Sequence, residues 1–193
     1  MEKRRPNKNP AHATFTECQT TLKYILAAPK DKAVIKQLCV RPDFEQRSFP
    51  QEVSLSIASG IAGDSRWLTR PWLKLANGDS DPSIQVCIIS QRVMDLCWKD
   101  RESGIHPGDL FAVDMDLGKE NLPAGTLLSV GTAVLEVSDE FNNGCVKWRK
   151  RYGTDSFKWI NLPENRHLRL RGILCKIVQD GVIQVGDHFK KII

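Results

Sequence analysis

The sequence predicts a mainly β-fold with a few helices, of the β-barrel class. In the second half of the chain, short apolar segments alternate with glycines and other turn residues. Only two or three segments show the apolar spacing of a helix. Short strands with frequent turns and few helices are typical of a barrel that carries its helices on the outside.

Helices are predicted at two places in the first half of the chain. An amphipathic helix is expected over Phe15–Leu26, because apolar residues such as Cys18 and Leu22 recur there at helical spacing. Pro29 and the charged residues after it end this helix. A second helix is expected after Ser90, whose side chain can cap its first turn.

Seven apolar segments are predicted to be strands, because they alternate in polarity or form short buried runs between turn residues. They are residues 33–40, 53–57, 84–89, 127–130, 133–137, 172–178 and 182–185. The segment Gly60-Ile-Ala-Gly-Asp64 has turn chemistry, since glycine permits tight or left-handed backbone.

Length and composition indicate an ordinary folded protein. The 193 residues suit one domain with a substantial core, 41% of them are apolar, and the net charge is only +5. The longest apolar runs, such as Val86–Ile89, are far too short to cross a membrane, and no apolar segment follows the basic start. We therefore predict a cytoplasmic protein without a membrane segment, with a flexible basic leader at residues 1–12 and a single domain at residues 13–193.

Cysteine usage and charge exclude several classes of site. The six cysteines stand singly, without a CxxC pair, and are expected to be reduced thiols. Neither they nor the four scattered histidines supply the clustered ligands of a structural zinc site. The mild positive charge and the few aromatic residues argue against a nucleic-acid partner, which usually requires a denser basic stripe.

Four segments occur in a fixed order along most of the chain. They are Pro29-Lys-Asp31 with a strand to Arg41-Pro42 and Gly60-Ile-Ala-Gly-Asp-Ser-Arg-Trp67; Val86-Cys-Ile-Ile-Ser90 before a helix; Gly118-Lys-Glu-Asn-Leu122 with Gly131-Thr-Ala-Val-Leu-Glu-Val137 and Cys145; and Arg171-Gly-Ile-Leu-Cys-Lys-Ile-Val178 with Gly181 and Gly186-Asp187. Their order and spacing over residues 29–189 resemble the MOSC family, named for the C-terminal domain of molybdenum cofactor sulfurase.

The resemblance implies a MOSC-type β-barrel with a pocket at one end and a functional cysteine at Cys145. As implied by the family, Cys145 is the catalytic residue and the metal ligand of a molybdenum–pterin cofactor. Some members reduce N-hydroxylated compounds and others carry sulfur, so the partner is either a small-molecule substrate or a sulfur donor or acceptor protein. Many members have proline where this chain has Gly144. No pyridoxal phosphate is expected, because the chain is too short to include the family's fused desulfurase domain.

The residues around Cys145 are consistent with either a reactive or a buried thiol. A turn sequence, Phe141–Gly144, precedes Cys145, and the basic stretch at residues 147–158, read as a loop, follows it. Nearby cations stabilise a thiolate, the form that binds soft metals or accepts sulfur. Lys147 and Arg149 could also neutralise a ligand phosphate. The alternative is a core cysteine beside a solvated basic loop.

Three more residues are candidate cofactor ligands, each with a plainer alternative. Asp64 could accept hydrogen bonds from a ligand, but closing its own turn is the favoured interpretation. Asn121 could bind the edge of a heterocycle or cap a loop. Arg171 could reach a phosphate from the start of a strand, or be a surface cation. Arg41 and Arg66 are similar candidates with less support.

Two further interpretations remain open from the sequence. Trp148 and Trp159 flank the basic stretch, and either could stack on a pterin ring or belong to the core. The whole protein could instead be a non-catalytic binding module for RNA or another anionic ligand, using the same basic stretch.

Overall fold

The computed structural model describes residues 12–102 and 104–192, so the predicted leader at residues 1–12 lies, except for His12, outside the described residues. The strands are β1 (Ala33–Val34), β2 (Glu52–Ser56), β3 (Gly60–Ile61), β4 (Val86–Ser90), β5 (Phe111–Val113), β6 (Leu127–Val130), β7 (Ala133–Val137), β8 (Ile173–Gln179), β9 (Gly181–Gln184) and β10 (His188–Lys191). The helices are α1 (Phe15–Leu26), α2 (Arg66–Thr69), α3 (Gln91–Cys97), α4 (Val146–Tyr152) and α5 (Thr154–Ile160), with 3-10 turns at Pro82–Ile84 and Pro163–Leu168. Within the described ranges, no helix has the length and apolar character needed to span a bilayer.

Seven strands form a mixed sheet that curls into a nearly closed barrel. Their order is β1-β10-β6-β7-β8-β4-β5, and a smaller antiparallel sheet has the order β3-β2-β9. Of the pairs in the large sheet, β4 and β5 are parallel and the others antiparallel. At one edge Ala33 of β1 pairs with Phe189 of β10, and a few residues later Leu38 bridges Phe111 of β5 at the other edge. The segment after β1 therefore closes the barrel that the sequence predicted.

The barrel interior is filled by side chains that alternate along the strands. In β7 every second residue is buried, and in β4 both Val86 and Ile88 are fully buried. These aliphatic residues join Phe111 and Phe189, whose ring centroids are 5.7 Å apart, in one core. Burying an aliphatic side chain of this kind contributes about 2 kcal/mol to folding, so the interior stabilises the frame from which the loops project.

A second core lies outside the sheet and packs helices α1, α3, α4 and α5 together. It contains Trp159 of α5, Met94 of α3 and Cys18 of α1, all buried. Helix α1 begins with a capping box, in which the Thr14 hydroxyl accepts from the Glu17 N–H and the Glu17 carboxylate accepts from the Thr14 N–H. Helix α1 has the bounds Phe15–Leu26, so the predicted helix is confirmed.

The strand predicted for residues 33–40 is only partly regular. Two residues form β1, and the remainder crosses from β10 to β5, with Leu38 and Val40 making isolated bridges. The Cys39 N–H donates to the Leu110 carbonyl at 2.9 Å. A segment that passes between two partners cannot pair continuously with either, which local apolar patterning does not reveal.

The basic stretch after Cys145 is helical, so its interpretation as a loop is wrong. Residues 146–152 form α4 and residues 154–160 form α5, separated by Gly153 at φ +89°. Trp148 and Tyr152 stand four residues apart, and their ring centroids are 4.6 Å apart. An apolar pair at this spacing stabilises a helix. The packing of the face that carries this pair determines the structure of the segment, even though the residues between the two aromatic side chains are charged.

Candidate functional site

A cleft of about 560 Å³ opens beside the N-terminus of α4, and its walls are strongly cationic. Seven cationic side chains line it: Arg41, Arg47, Arg66, Arg70, Lys147, Arg151 and Arg171. Only two carboxylates, Asp43 and Glu45, stand among them. The excess of positive charge in a concave surface favours an anionic ligand.

Cys145 lines this cleft and is the one exposed cysteine of the six. It occupies the N-cap position of α4. The turn before it is clamped by the Asn161 amide, which accepts from the Gly144 N–H at 3.0 Å and donates to the Gly144 carbonyl at 3.1 Å. This clamp fixes the backbone that presents the thiol.

The packing of α5 against this turn leaves little room for a side chain at Gly144. A Cβ at position 144 would lie 2.5 Å from Ile160 Cδ1 and 2.9 Å from Asn161 Nδ2. Proline would also remove the N–H that donates to Asn161. A glycine and an amide clamp, and not a proline, therefore hold the turn before Cys145.

Cys87 is a second thiol on the cleft wall, but it differs from Cys145 in its surroundings. It is half-buried on β4, and burial raises the pKa of its thiol, opposed by the positive charge of Arg41. Burial also raises the pKa of Cys39 to about 12. Cys145 is therefore the cysteine that solvent and reagents reach first.

Arg41 is fixed in the cleft by the buried carboxylate of Asp64. Arg41 Nε donates to Asp64 Oδ2 at 2.7 Å and Nη2 donates to Oδ1 at 3.2 Å. The backbone N–H groups of Arg41 and Arg66 both donate to the same carboxylate at 2.9 Å. Asp64 thus closes its own turn and orients Arg41, while its side chain is only 2% exposed.

Arg171 is held in a similar way by Asp109. Arg171 Nη1 donates to Asp109 Oδ1 at 2.7 Å, and the guanidinium lies over the Trp148 ring at 5.0 Å. Burial opposes the charged form of Arg171, but the attraction of Asp109 outweighs it and the pKa of Arg171 is raised. The Asp109 side chain is fully buried, and its Oδ2 has no hydrogen-bond partner among the described residues.

Three cations of the cleft form no ion pair within the described chain: Arg47, Arg66 and Lys147. Arg47 Nε donates to the His106 carbonyl at 3.1 Å, and the Lys147 ammonium lies 4.4 Å from the centroid of the Phe44 ring. Burial and then repulsion by neighbouring arginines lower the pKa of Arg47 and of Arg66. A bound anion would offset this repulsion, so the charges of the cleft favour an anionic ligand.

Two exposed aromatic side chains stand at the mouth of the cleft. Phe44 and Trp72 both line it and are 54% and 55% exposed. Trp148 also lines the cleft, but it is buried and its ring is covered by Arg171, whereas Trp159 is fully buried in the outer core. Of the two interpretations left open for Trp148 and Trp159, burial therefore favours a packing role, and Trp72 offers the exposed indole at the cleft.

The structure brings together some of the sequence-predicted site residues and separates others. Cys145, Lys147 and Arg171 line the cleft, and Asp64 lies directly behind it. Arg149 points elsewhere, with its guanidinium 5.8 Å from the Phe157 ring, and is not among the lining residues.

Asn121 also lies away from the cleft. Its amide donates to the carbonyls of Lys30 and Asp116 at 2.9 and 2.7 Å, and its oxygen accepts from Lys191 Nζ at 3.0 Å. These bonds tie three separate segments together and use the donors and the acceptor of the amide.

Sequence reasoning missed Arg47, Arg70 and Arg151 as cleft residues, and Asp109 behind it. For Arg151 the signal was available, since it stands four residues after Lys147 and shares its helix face. Among the described residues no group of three or more histidine, cysteine or carboxylate side chains could hold a metal ion by itself.

Comparisons with solved structures agree on the fold. YuaD from Bacillus subtilis superposes with a TM-score of 0.55 at 18% identity, covering 83% of this chain and 95% of that protein. YiiM from Escherichia coli superposes with a TM-score of 0.51 at 13% identity, covering 84% of this chain and 70% of that protein. YiiM from Geobacillus stearothermophilus superposes with a TM-score of 0.51 at 14% identity, covering 83% of this chain and 75% of that protein. No protein-family model and no curated protein matched the chain. YuaD and YiiM are MOSC-domain proteins, and the similarity to them shows that this chain has a MOSC-type β-barrel fold.

Proposed function

We propose that the cleft binds an anionic molybdenum–pterin cofactor with Cys145 as the protein ligand of the metal, and that the protein acts as a small oxidoreductase on N-hydroxylated compounds. The observation that carries the proposal is the exposed Cys145 thiol in a cleft lined by seven cations. The MOSC-type fold supports the choice of cofactor.

The donor groups of the cleft fit such a cofactor. Cys145 offers one sulfur ligand, and a thiolate is a soft ligand that favours metals that bind sulfur. The remaining ligands would come with the cofactor, whose pterin carries its own sulfur donors. Its phosphate is matched by guanidinium groups, which bind phosphate in a bidentate manner.

The chain's own residues would bind and orient the ligand. Arg41 and Arg171 are fixed by buried carboxylates, so little conformational entropy is lost when they bind an anion. Lys147, two residues after Cys145, adds an exposed positive charge, and the indole of Trp72 can cover a planar ring at the mouth. Bound there, the molybdenum centre would supply two-electron chemistry: an external electron-donor protein would provide the two electrons, and the N–O bond of the substrate would break with uptake of two protons and release of water.

A sulfur-carrier role uses the same thiol without metal. The Cys145 thiolate would attack the outer sulfur of a donor persulfide. The bond between the donor's two sulfurs breaks, its electron pair leaves with the donor thiolate, and Cys145 becomes the persulfide. The exposure of Cys145 favours this transfer, because a protein donor must reach the sulfur directly.

The test is the metal and pterin content of protein purified anaerobically from a host that makes the cofactor. Wild-type protein should contain nearly one molybdenum and one pterin per chain, and Cys145→Ser should lose the metal. Lys147→Ala should weaken retention of the cofactor by about tenfold, as expected for one lost charged contact. Arg149→Ala is the matched control on the same helix, and should behave as wild type because Arg149 does not line the cleft.

Three outcomes distinguish the candidate functions. Folded wild-type protein without metal or pterin would refute the oxidoreductase proposal. A persulfide donor that then adds one sulfur atom to Cys145, seen by mass spectrometry, would support the carrier role. RNA binding that is lost with rising salt and is unchanged in Cys145→Ser would instead support a non-catalytic binding module.

A further inference from the structure

A second cavity lies behind the cleft, and the two share part of their walls. It has a volume of about 240 Å³. Glu45, Arg151 and Tyr152 line both the cleft and this second cavity. These three side chains therefore form a partition with a cavity on each side.

One part of the partition is rigid. Tyr152 is 2% exposed, its ring packs edge-on against Trp148, and its hydroxyl donates to the Ile105 carbonyl. A buried ring with its hydroxyl satisfied cannot swing without losing both kinds of contact.

The other part of the partition is the ion pair between Glu45 and Arg151, and it can open. A single contact of 3.2 Å joins Arg151 Nη2 to Glu45 Oε1, and the Glu45 side chain is 50% exposed. An ion pair this exposed contributes little to stability and costs little to break. The backbone of Glu45 has φ +58°, a left-handed conformation that is concentrated at ligand sites when the residue is not glycine.

The second cavity provides positive charge beside an aromatic wall. Lys99, Lys150 and Arg151 line it together with Trp98, and two carboxylates, Glu45 and Asp100, also line it, so the cations are in excess by one charge. Lys99 binds Glu17 at 2.7 Å, whereas Lys150 has no ion pair within the described chain. A guanidinium can form two parallel hydrogen bonds to a phosphate, whereas Arg151 has only a single contact with the Glu45 carboxylate. Arg151 would therefore gain a hydrogen bond by turning from Glu45 to a phosphate between the cavities.

We propose that the second cavity is the subsite for a distal phosphate of the ligand that occupies the cleft, and that the Glu45–Arg151 pair opens to admit it. The ligand class is then an elongated phosphoester, with its reactive end at Cys145 and its phosphate near Lys150. This inference rests on the proposed function, because it requires an anionic ligand in the cleft.

The test uses the rate at which iodoacetamide alkylates Cys145 in the full chain, with inorganic phosphate or tripolyphosphate as the protecting anion. Inorganic phosphate is small and occupies only the cleft, whereas the longer tripolyphosphate can extend past the partition into the second cavity. Lys150→Ala should weaken protection by tripolyphosphate about fivefold, for one lost charged contact, and leave protection by phosphate unchanged. Lys158→Ala is the control, since this exposed lysine lines neither cavity.

A further variant tests the partition itself. Glu45→Gln removes the charge that holds Arg151, so the ratio of tripolyphosphate protection to phosphate protection should rise. If Lys150→Ala protects as well as wild type with both anions, or if the ratio for Glu45→Gln is unchanged, the second subsite is refuted while phosphate still protects Cys145 through the cleft. If neither anion protects wild-type Cys145, the anion-binding cleft itself is refuted, and the subsite with it.

Discussion

His106 is a buried histidine, and its burial should make the stability of the fold depend on pH. The residue is 4% exposed, and its ring packs edge-on against Trp98 and Phe49. Burial lowers the pKa of His106 from 6.5 to about 4, with Asp109 opposing this effect and Arg47 adding to it. The folded protein therefore holds this imidazole neutral at pH values where the unfolded chain protonates it.

The size of the effect follows from the difference between the two pKa values. Between pH 6.5 and about 4 the unfolded state binds more protons, so the free energy of unfolding falls as the pH is lowered through this range. Each pH unit is worth about 1.4 kcal/mol, which amounts to about 3 kcal/mol over the whole window and about 2 kcal/mol by pH 4.5. Above pH 6.5 the contribution of His106 is fully present. Glu17 acts in a lower window, because its hydrogen bond to Lys99 lowers the pKa of its carboxyl from 4.5 to about 2.

Urea unfolding, followed by tryptophan fluorescence from about pH 7 to about pH 4.5, measures this dependence. His106→Asn removes the titrating group but keeps an acceptor for the Gly108 N–H, which now donates to His106 Nδ1 at 3.0 Å. Between these two pH values, the free energy of unfolding of the variant should fall by about 2 kcal/mol less than that of wild type. His167→Asn, at an exposed histidine, should follow wild type. Parallel curves for His106→Asn and wild type would refute the reasoning.

Three more predictions concern the thiols and the packing. Iodoacetamide should label one cysteine per folded chain, found at Cys145 by peptide mapping, because the other five are buried or half-buried; fast labelling of a second cysteine would contradict this. Gly172→Ala should destabilise the fold by about 3 kcal/mol in urea unfolding, since Gly172 has φ +97° and a Cβ would lie 2.0 Å from the Ile88 carbonyl oxygen; an unchanged midpoint would contradict the close contact. Asp64→Asn should cost a similar amount, about 3 kcal/mol, because it leaves the Arg41 guanidinium without its buried counter-charge; a loss below about 1 kcal/mol would mean that solvent screens this pair.

The fold was predictable where local pattern and tertiary pairing agree. The helix over Phe15–Leu26 has its caps within its own sequence, and β7 alternates because one face meets the barrel interior. The segment at residues 33–40 is apolar along its length, yet only its ends pair, because it crosses from one edge of the sheet to the other. Barrel closure depends on the whole sheet, so the pattern of any eight consecutive residues cannot predict it.

The sequence singled out the cysteine that lines the cleft, Cys145, but only some of the cations around it. The turn and the basic neighbours of Cys145 are consistent with either a reactive or a buried thiol, the resemblance to the MOSC family favoured the reactive one, and the structure shows that the thiol is exposed. The pairs that fix the arginines join positions far apart in the chain, since Arg41 meets Asp64 across 23 residues and Arg171 meets Asp109 across 62. Each of these residues, taken singly, has an adequate explanation as a turn residue or a surface cation, and only the fold combines them.

The error on the basic stretch has a specific physical origin. As a loop, residues 147–158 give Lys147 and Arg149 equal access to a ligand. As a helix, successive side chains turn by about 100°, so residues four apart share a face and residues two apart do not. Lys147 and Arg151 accordingly both line the cleft, and Arg149 does not. The aromatic residues Trp148 and Tyr152 repeat at the same interval and were the available evidence for the helix. Apolar spacing was therefore a better guide to the position of the charges than the charges themselves.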